Sequence, residues 1–202
     1  PTCEAMGKLV VCPIGTPRAF CDDDVRFHLH FTVPGDIVRL FLPRQKDSNK
    51  GLYGHVLVVG GSRGKAGAPT MSGLAALRAG AGLVTVASTA DVMAVVSAHT
   101  PELMTERLAE TENGQVSLAA EQRIHGLLQK MTLLALGPGL GTDDETVRLT
   151  RQLYQSVERP MVVDADGLNA IAGQMEKTDK IRILTPHPGE MGRLTGRSTA
   201  EV

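Results

Sequence analysis

The sequence predicts an α/β fold with a mainly parallel sheet flanked by helices. Apolar runs rich in Val, Leu and Ile alternate with segments of helical spacing, beginning at "HVLVVGG" (55–61). Strands buried on both faces of a parallel sheet have such continuous apolar runs, and the helix between them supplies the crossover that a parallel pair needs. Loops rich in glycine or polar residues follow four of the runs. In open parallel sheets, ligands bind at that end of the strands.

The apolar runs predict five strands, and the segments between them predict the connecting helices. The strands begin the segments 55–61, 83–88, 132–141, 160–171 and 181–196. Residues 68–82 have the small and apolar spacing of a packed helix, with Gly80 and Gly82 as stop signals. A capping box of Thr142 and Glu145 predicts that another helix begins after the "GPGLG" loop.

The first part of the chain follows a different pattern. Residues 1–30 have little periodicity and mix Pro, Gly and a run of Asp, which predicts a tail or linker ahead of a domain at 31–202. Within that domain, residues 31–43 predict a short helix that is capped by Thr32 and ended by Pro43.

Composition excludes several classes of function. The chain has 202 residues, a net charge of −1 and only 3% aromatic residues, so neither a basic stripe nor a stacking platform for nucleic acid is present. An uninterrupted apolar run of about 18 residues, which a membrane span requires, does not occur in the sequence. The sequence does not begin with the layout of a signal peptide, and the default prediction is a cytoplasmic protein.

The cysteines do not predict a metal site. Cys3, Cys12 and Cys21 precede His28 and His30, but zinc-binding pairs are usually about two to four residues apart and these cysteines are not. An odd number of cysteines confined to one terminal segment also argues against a disulfide framework and is consistent with a reducing compartment.

Four loops predict one shared ligand cleft. They read "GGSRGKAGAP", "GPGLG", "DADGLN" and "TPHPGE", and each lies between an apolar strand and a helix. Glycines allow backbone N–H groups to approach a ligand, and helix N-termini favour phosphate. Neither a Walker loop nor a Gly-x-Gly-x-x-Gly fingerprint is present, which disfavours a P-loop NTPase and a Rossmann dehydrogenase.

Polar side chains in two of these loops are candidates for ligand binding. Asp164 and Asp166 alternate at a strand end, so we expect one to face the cleft while the other caps the following turn or helix. Asn169 is placed to reach the cleft from the first helical turn. His187 lies between two prolines, which stiffen its loop, and a plain strand-to-helix turn is the alternative interpretation.

Several of these motifs, in this order, resemble one enzyme family. The segments "GHVLVVGGSRGKAGAPTMSGLAALRAGAGLVTVAS", "PELM", "LALGPGLG", "PMVVDADGLNAIA" and "ILTPHPGEMGRLTG" are similar to the ADP- or ATP-dependent NAD(P)H-hydrate dehydratases of the ribokinase-like superfamily. The resemblance runs from about residue 31 to Val202. The segment "GKLVVCPIGTP" is similar to the tail of the NAD(P)H-hydrate epimerase domain that is fused ahead of many bacterial dehydratases.

The resemblance implies a repair enzyme with a ribokinase-like three-layer sandwich. Such enzymes phosphorylate the hydroxyl of hydrated NADH or NADPH with ADP or ATP, and Mg²⁺ is expected with the nucleotide. The electron pair of the ring nitrogen then helps to expel phosphate, which restores the reduced cofactor. A fused or cognate epimerase is the implied partner, and a fused epimerase favours ADP as the donor.

The resemblance also implies the site residues. Those expected to contact the hydrated dinucleotide are Ala68, Gly139 or Gly141, and His187. Those expected to line or shape the same site are Asp164, Asp166, Asn169 and Glu190.

The sequence departs from the family pattern at its end. Members continue with a Lys-Gly segment that binds nucleotide phosphates and a Gly-x-Gly-Asp loop that carries the general base, and neither follows "ILTPHPGEMGRLTG" in these 202 residues. A capping box of Ser198 and Glu201 also ends the chain without a following helix. We therefore expect a C-terminally truncated domain that contains much of the dinucleotide-binding half, is inactive by itself, and has its general base beyond Val202.

Two other functions remain open at this stage. One is a small-alcohol kinase such as hydroxyethylthiazole kinase, which shares the superfamily core; the other is a non-catalytic dinucleotide-binding module. The small residues of "AALRAGAG" allow close helix packing, which serves a homo-oligomer or the packing of one chain equally well.

Overall fold

A computed structural model of the chain describes residues 10, 12, 14–17, 20, 26, 32–41 and 43–202. They fall into two compact units, Pro1–Lys46 and Asp47–Val202. Much of the predicted tail lies outside the described residues, including Cys3, Cys21, His28 and His30. Cys12 is described and is exposed. The division into a tail and a domain at residue 31 stays a prediction.

The first unit contains the predicted short helix, with a different cap. Helix α1 spans Pro34–Ile37 and continues as a 3-10 turn over Val38–Leu40. Its N-cap is Val33 rather than Thr32, and the Val33 N–H donates to Oδ2 of Asp36 at 3.0 Å. An acidic side chain of the first turn, reaching back to the N-cap, replaces the predicted threonine cap.

The second unit is built on a six-stranded parallel sheet with the order β3-β2-β1-β4-β5-β6. The strands are β1 His55–Val59, β2 Leu83–Ser88, β3 Met104–Arg107, β4 Leu133–Leu136, β5 Met161–Val163 and β6 Arg182–Leu184. The predicted α/β fold with a parallel sheet is confirmed. Only β3 has no counterpart among the predicted strands, because its sequence "MTER" is polar and lies at an edge of the sheet.

Helices pack on both faces of the sheet in a three-layer arrangement, which leaves Ile183 of β6 exposed. They are α2 Gly67–Ala79, α3 Ala90–His99, α4 Glu121–Leu128, α5 Asp144–Ser156, α6 Asp166–Ile171 and α7 Pro188–Thr195. Leu57 and Val59 of β1 belong to a core that includes side chains of α4, α5 and α6. Val58 points the other way and packs with Val92 and Val96 of α3. Successive side chains of β1 thus point to opposite faces of the sheet and pack against the helix layer on each side.

The predicted capping residue is confirmed at the end of α2 and is wrong at the start of α5. Gly80 caps α2 in the left-handed conformation, with φ of 113°, as predicted. Helix α5 has Asp143 rather than Thr142 as its N-cap. The predicted capping box does not form, because Oε2 of Glu145 accepts the N–H of Leu118 at 3.1 Å, from a different part of the chain.

The described residues contain no helix that is both long and apolar enough to cross a membrane.

Candidate functional site

The strand order brings the four loops that the sequence singled out to one edge of the sheet. We call them the β1 loop (60–66), the β4 loop (137–143), the β5 loop (164–165) and the β6 loop (185–187), after the strands that they follow. Strands β1, β4, β5 and β6 are consecutive neighbours, and all are parallel. Each loop therefore lies beside the next, at the carboxyl ends of the strands.

The β1 and β4 loops are joined by two hydrogen bonds. The N–H of Gly61 donates to the carbonyl of Pro138 at 2.8 Å, and Oγ of Ser62 donates to the carbonyl of Gly139 at 2.8 Å. A Cβ on Gly139 would lie 3.3 Å from the Cβ of Ala68, at the start of α2. Two of the predicted dinucleotide-binding residues, Ala68 and Gly139, are therefore neighbours.

Asp166 connects the β4 loop to α6. Its Oδ2 accepts the N–H of Gly141 at 2.9 Å and lies 3.5 Å from Nζ of Lys65. The Asp166 side chain is 18% exposed, while that of Lys65 is 55% exposed. The carboxylate therefore orders a glycine-rich loop and leaves the ammonium group of Lys65 largely in solvent.

Asp164 connects the β5 loop to the β6 loop. Its Oδ1 accepts the hydroxyl of Thr185 at 2.8 Å. Strand β5 ends at Val163, and Ala165 has φ of 51° and ψ of −119°, so the chain turns sharply between the two aspartates. The N-cap of α6 is Ala165, so neither carboxylate has the capping role that the alternation suggested. A non-glycine residue with positive φ stores backbone strain of the kind found at functional sites.

His187 and Glu190 form a capping box at the start of α7. Nδ1 of His187 accepts the N–H of Gly189 at 3.1 Å, and Oε2 of Glu190 accepts the N–H of His187 at 2.9 Å. Glu190 is buried, whereas the His187 side chain is 63% exposed. Because Nδ1 accepts a hydrogen bond, a neutral ring carries its proton on Nε2. The loop therefore fixes the ring and leaves most of it accessible to a ligand.

Asn169 lies between α6 and α7. Its Oδ1 accepts Nε–H of Arg193 at 2.8 Å. This hydrogen bond ties together the two helices that follow the β5 and β6 loops. The binding role of Asn169, like the roles of the other seven predicted site residues, stays a prediction.

The family is shown by comparison with known sequences. The sequence model of the family described as NAD(P)H-hydrate dehydratase matches residues 56–201, which include all four loops. The chain belongs to the NAD(P)H-hydrate dehydratase family. The match favours the dehydratase interpretation over the small-alcohol kinase and the non-catalytic module.

Relatives of this dehydratase-family chain are longer proteins. The bifunctional NAD(P)H-hydrate repair enzyme Nnr of Thermofilum pendens is 39% identical over all of this chain and 38% of its own length. The enzyme of the same name from Moorella thermoacetica is 41% identical, again over all of this chain and 38% of its own length. The chain thus spans about 38% of the length of these curated relatives.

Solved structures support the same family and fold. The ADP/ATP-dependent NAD(P)H-hydrate dehydratase of Bacillus subtilis, co-crystallised with ATP and Mg²⁺, is 28% identical with a TM-score of 0.62, covering 82% of this chain and 56% of that one. A ribokinase-like superfamily protein of Enterococcus faecalis is 23% identical with a TM-score of 0.69, covering 86% of this chain and 61% of that one. The ribokinase-like fold predicted through the resemblance is confirmed.

An apolar cavity adjoins the polar loops in this dehydratase-family chain. It has a volume of about 500 Å³, and its lining includes Pro138, Asp164 and Thr185 from the loops after β4, β5 and β6. The rest of its wall is mostly apolar and comes from the sheet and α2, including Val58 and Ala76. Of the predicted site residues only Asp164 lines this cavity, so the site has a polar part in the loops and an apolar part beside the sheet.

Sequence reasoning missed several residues that build the loops. Ser62 and Lys65 lie in the "GGSRGKAGAP" motif, and Thr185 lies in "TPHPGE", so the motifs contained them without showing their partners. Gln115 and Asp143 carry no motif, although they are hydrogen-bonded to each other beside the β4 loop. Their pairing depends on long-range contacts that a local pattern does not reveal.

Proposed function

We propose that this chain supplies the dinucleotide-binding part of an NAD(P)H-hydrate dehydratase. The whole reaction converts hydrated NADH or NADPH back to the reduced cofactor, with ADP or ATP as phosphate donor. The observation that carries the proposal is the family match over residues 56–201, which spans the four joined loops. The B. subtilis neighbour, an ADP/ATP-dependent dehydratase by name, supports the choice of nucleotide.

The β1 and β4 loops suit the phosphates of a dinucleotide. Helix α2 has 13 residues, and its N-terminus lies directly after the β1 loop, where backbone N–H groups and the helix dipole favour an anion. Gly139, which is half-buried and has positive φ, lets a ligand approach the backbone closely, whereas Gly141 is buried against Gln115 and Asp166 and holds the shape of the loop. Lys65, whose side chain is largely exposed, adds a positive charge beside the same loops.

His187 suits a role in binding and orientation. With its proton on Nε2, a neutral ring has one donor, which lies 3.4 Å from Oε1 of Glu190, while Nδ1 is already occupied by the cap. A preorganised side chain loses little conformational freedom when the ligand binds. We therefore assign His187 to ligand orientation rather than to proton abstraction.

The reaction has two steps. The residues of this chain assist both steps only by positioning the substrate. The hydroxyl of the hydrated nicotinamide ring takes the transferred phosphoryl group and loses its proton to a general base. The C–O bond then breaks as the electron pair of the ring nitrogen expels phosphate, and loss of a neighbouring ring proton restores the double bond. The family's general base belongs to a Gly-x-Gly-Asp loop, a motif that this sequence does not contain.

Mg²⁺ would accompany the nucleotide, as in the B. subtilis crystals. The described residues hold no group of three His, Cys, Asp or Glu side chains suited to a metal ion. Because Mg²⁺ is commonly held by nucleotide phosphates, waters and one or two carboxylates, we assign it no protein ligand among these residues and derive no step through it. A fused or cognate epimerase, a cytoplasmic location and a homo-oligomer remain predictions.

Calorimetric titration of the full chain with hydrated NADPH tests the proposal. We expect one saturable site in the wild type, and binding about tenfold weaker in His187→Ala, which corresponds to the loss of one good polar contact. His99→Ala is the matched control, because His99 is an exposed histidine in the last turn of α3. Absence of binding by the wild type would contradict the proposal.

A further inference from the structure

A small hairpin connects the β1 loop to the β4 loop from outside the predicted site. It spans residues 110–116 and is closed by an antiparallel bridge between Glu110 and Val116. Within it, the N–H of Thr111 donates to the carbonyl of Gln115 at 2.8 Å. Its turn reaches the β1 loop, where the N–H of Arg63 donates to the carbonyl of Gly114 at 2.9 Å. We call it the 110–116 hairpin.

A second contact of the 110–116 hairpin is with Asp143, at the end of the β4 loop. Oδ2 of Asp143 accepts the hydroxyl of Thr111 at 2.7 Å and Nδ2–H of Asn113 at 3.1 Å. Its Oδ1 accepts Nε2–H of Gln115 at 2.9 Å. Although Asp143 is the N-cap of α5, its carboxylate makes no cap hydrogen bond. The side chain that would normally cap the helix is used instead to hold the hairpin.

Gln115 makes the most specific of these contacts. Besides donating to the carboxylate, its Oε1 accepts the backbone N–H of Asp143 at 2.9 Å. The amide group therefore contacts Asp143 at two points, with one donor and one acceptor. A Cβ on Gly141 would lie 2.0 Å from Oε1 of Gln115, so the side chain lies directly against the backbone of the loop.

Gly141 is consequently held from two sides. Gln115 packs against one side, and the N–H of Gly141 donates to Asp166 on another. Its φ of 96° disfavours any side chain, and a Cβ would clash with Gln115.

We propose that Gln115 is a positioning residue for dinucleotide binding, which holds Gly141 and so fixes the β4 loop in the one conformation in which Gly139 meets the ligand. The inference rests on the proposed function. Gln115 acts through the loop and has no predicted contact with the reacting atoms. A preordered loop binds a ligand more tightly because less conformational freedom is lost.

The test combines amide hydrogen exchange with calorimetric titration by hydrated NADPH, in the full chain. Gln115→Met removes both polar contacts and nearly conserves side-chain volume. We expect the Gly141 amide to exchange about tenfold faster and binding to weaken about tenfold, as for the loss of one or two hydrogen bonds. The control is Arg182→Met, which removes contacts with the backbone carbonyls of Tyr154, in the last turn of α5, and of Val157, just after it, at the other end of the sheet. It should lower the stability of the fold and leave binding within about twofold.

Moving the carboxylate from position 143 to position 115 separates a positioning role of Gln115 from a merely structural one. Gln115→Glu places two carboxylates together and should weaken binding, whereas Gln115→Glu combined with Asp143→Asn restores a donor and an acceptor and should recover it. Unchanged exchange of Gly141 in Gln115→Met overturns this inference alone. Faster exchange with unchanged binding, or loss of binding that equals the loss in Arg182→Met, overturns the positioning role. Absence of binding by the wild type overturns the proposed function instead.

Discussion

The backbone N–H of Gly141 donates to Oδ2 of Asp166 at 2.9 Å, across 25 residues of sequence. The same oxygen lies 3.5 Å from Nζ of Lys65, in the β1 loop. One carboxylate thus connects three of the elements that meet at the carboxyl edge of the sheet. The shape of the candidate site therefore depends on this acceptor.

Replacement of Asp166 by Ala should destabilise the protein and weaken dinucleotide binding. The Gly141 N–H loses a charged acceptor in a partly buried position, which costs about 2 kcal/mol in the free energy of unfolding. Asp166→Asn keeps one acceptor oxygen and should cost less than about 1 kcal/mol. Urea unfolding of the two variants measures the difference. If Asp166→Ala and Asp166→Asn lose the same free energy of unfolding, the hydrogen bond does not order the loop.

Gly137 is expected to tolerate no side chain. Its φ is 120°, and a Cβ would lie 2.0 Å from the carbonyl oxygen of Asp164. We expect Gly137→Ala to reduce the free energy of unfolding by more than about 3 kcal/mol, because the β4 and β5 loops must separate. Its control is Gly126→Ala in α4, where a Cβ meets nothing within 4 Å. That exchange should stabilise the helix by up to about 1 kcal/mol, and an equal effect at both positions would contradict the packing described.

The fold was predictable from sequence because the information is local. Apolar runs mark β1 and β2, and the four loop motifs mark the carboxyl edge of the sheet. The contacts between loops were not predictable, because Gln115 and Asp143 are 28 residues apart and neither belongs to a motif. The same reason explains the wrong capping box at α5, where Glu145 binds the backbone of Leu118 and Asp143 binds the 110–116 hairpin.

The two roles of His187 can be separated by substitution. Asn is a good N-cap residue, so His187→Asn should keep the stability of α7, whereas His187→Ala should lose about 1 kcal/mol of unfolding free energy. Both variants lack the imidazole Nε2–H and should bind hydrated NADPH more weakly. Thermal unfolding and titration of the same samples measure both effects. Full binding by His187→Asn would limit the role of His187 to capping α7.

Acidification should destabilise the protein through His55. Burial lowers the pKa of His55 below its usual value of 6.5, and Nε2 lies 2.8 Å from Oγ1 of Thr85. A lowered folded-state pKa means that the unfolded chain binds the proton more readily. The stability contributed by the neutral ring is therefore complete above pH 6.5 and is lost as the pH falls through the folded-state pKa.

This pH dependence can be measured by urea unfolding between about pH 8 and pH 5. His55→Gln removes the titrating group and retains a donor for Thr85, so it should show a smaller loss of stability over that range. If the free energy of unfolding falls equally steeply with decreasing pH in the wild type and in His55→Gln, the assignment to His55 is contradicted.

Amide chemical shifts recorded during titration of the ¹⁵N-labelled full chain with hydrated NADPH test the central claim most directly. The claim is that the four loops at the carboxyl ends of β1, β4, β5 and β6 form one dinucleotide site. We predict saturable shifts at Ala68, Gly139, Gly141 and His187, with little change around His55 at the opposite end of the sheet. Shifts confined to other surfaces, or no shifts at all, would contradict it.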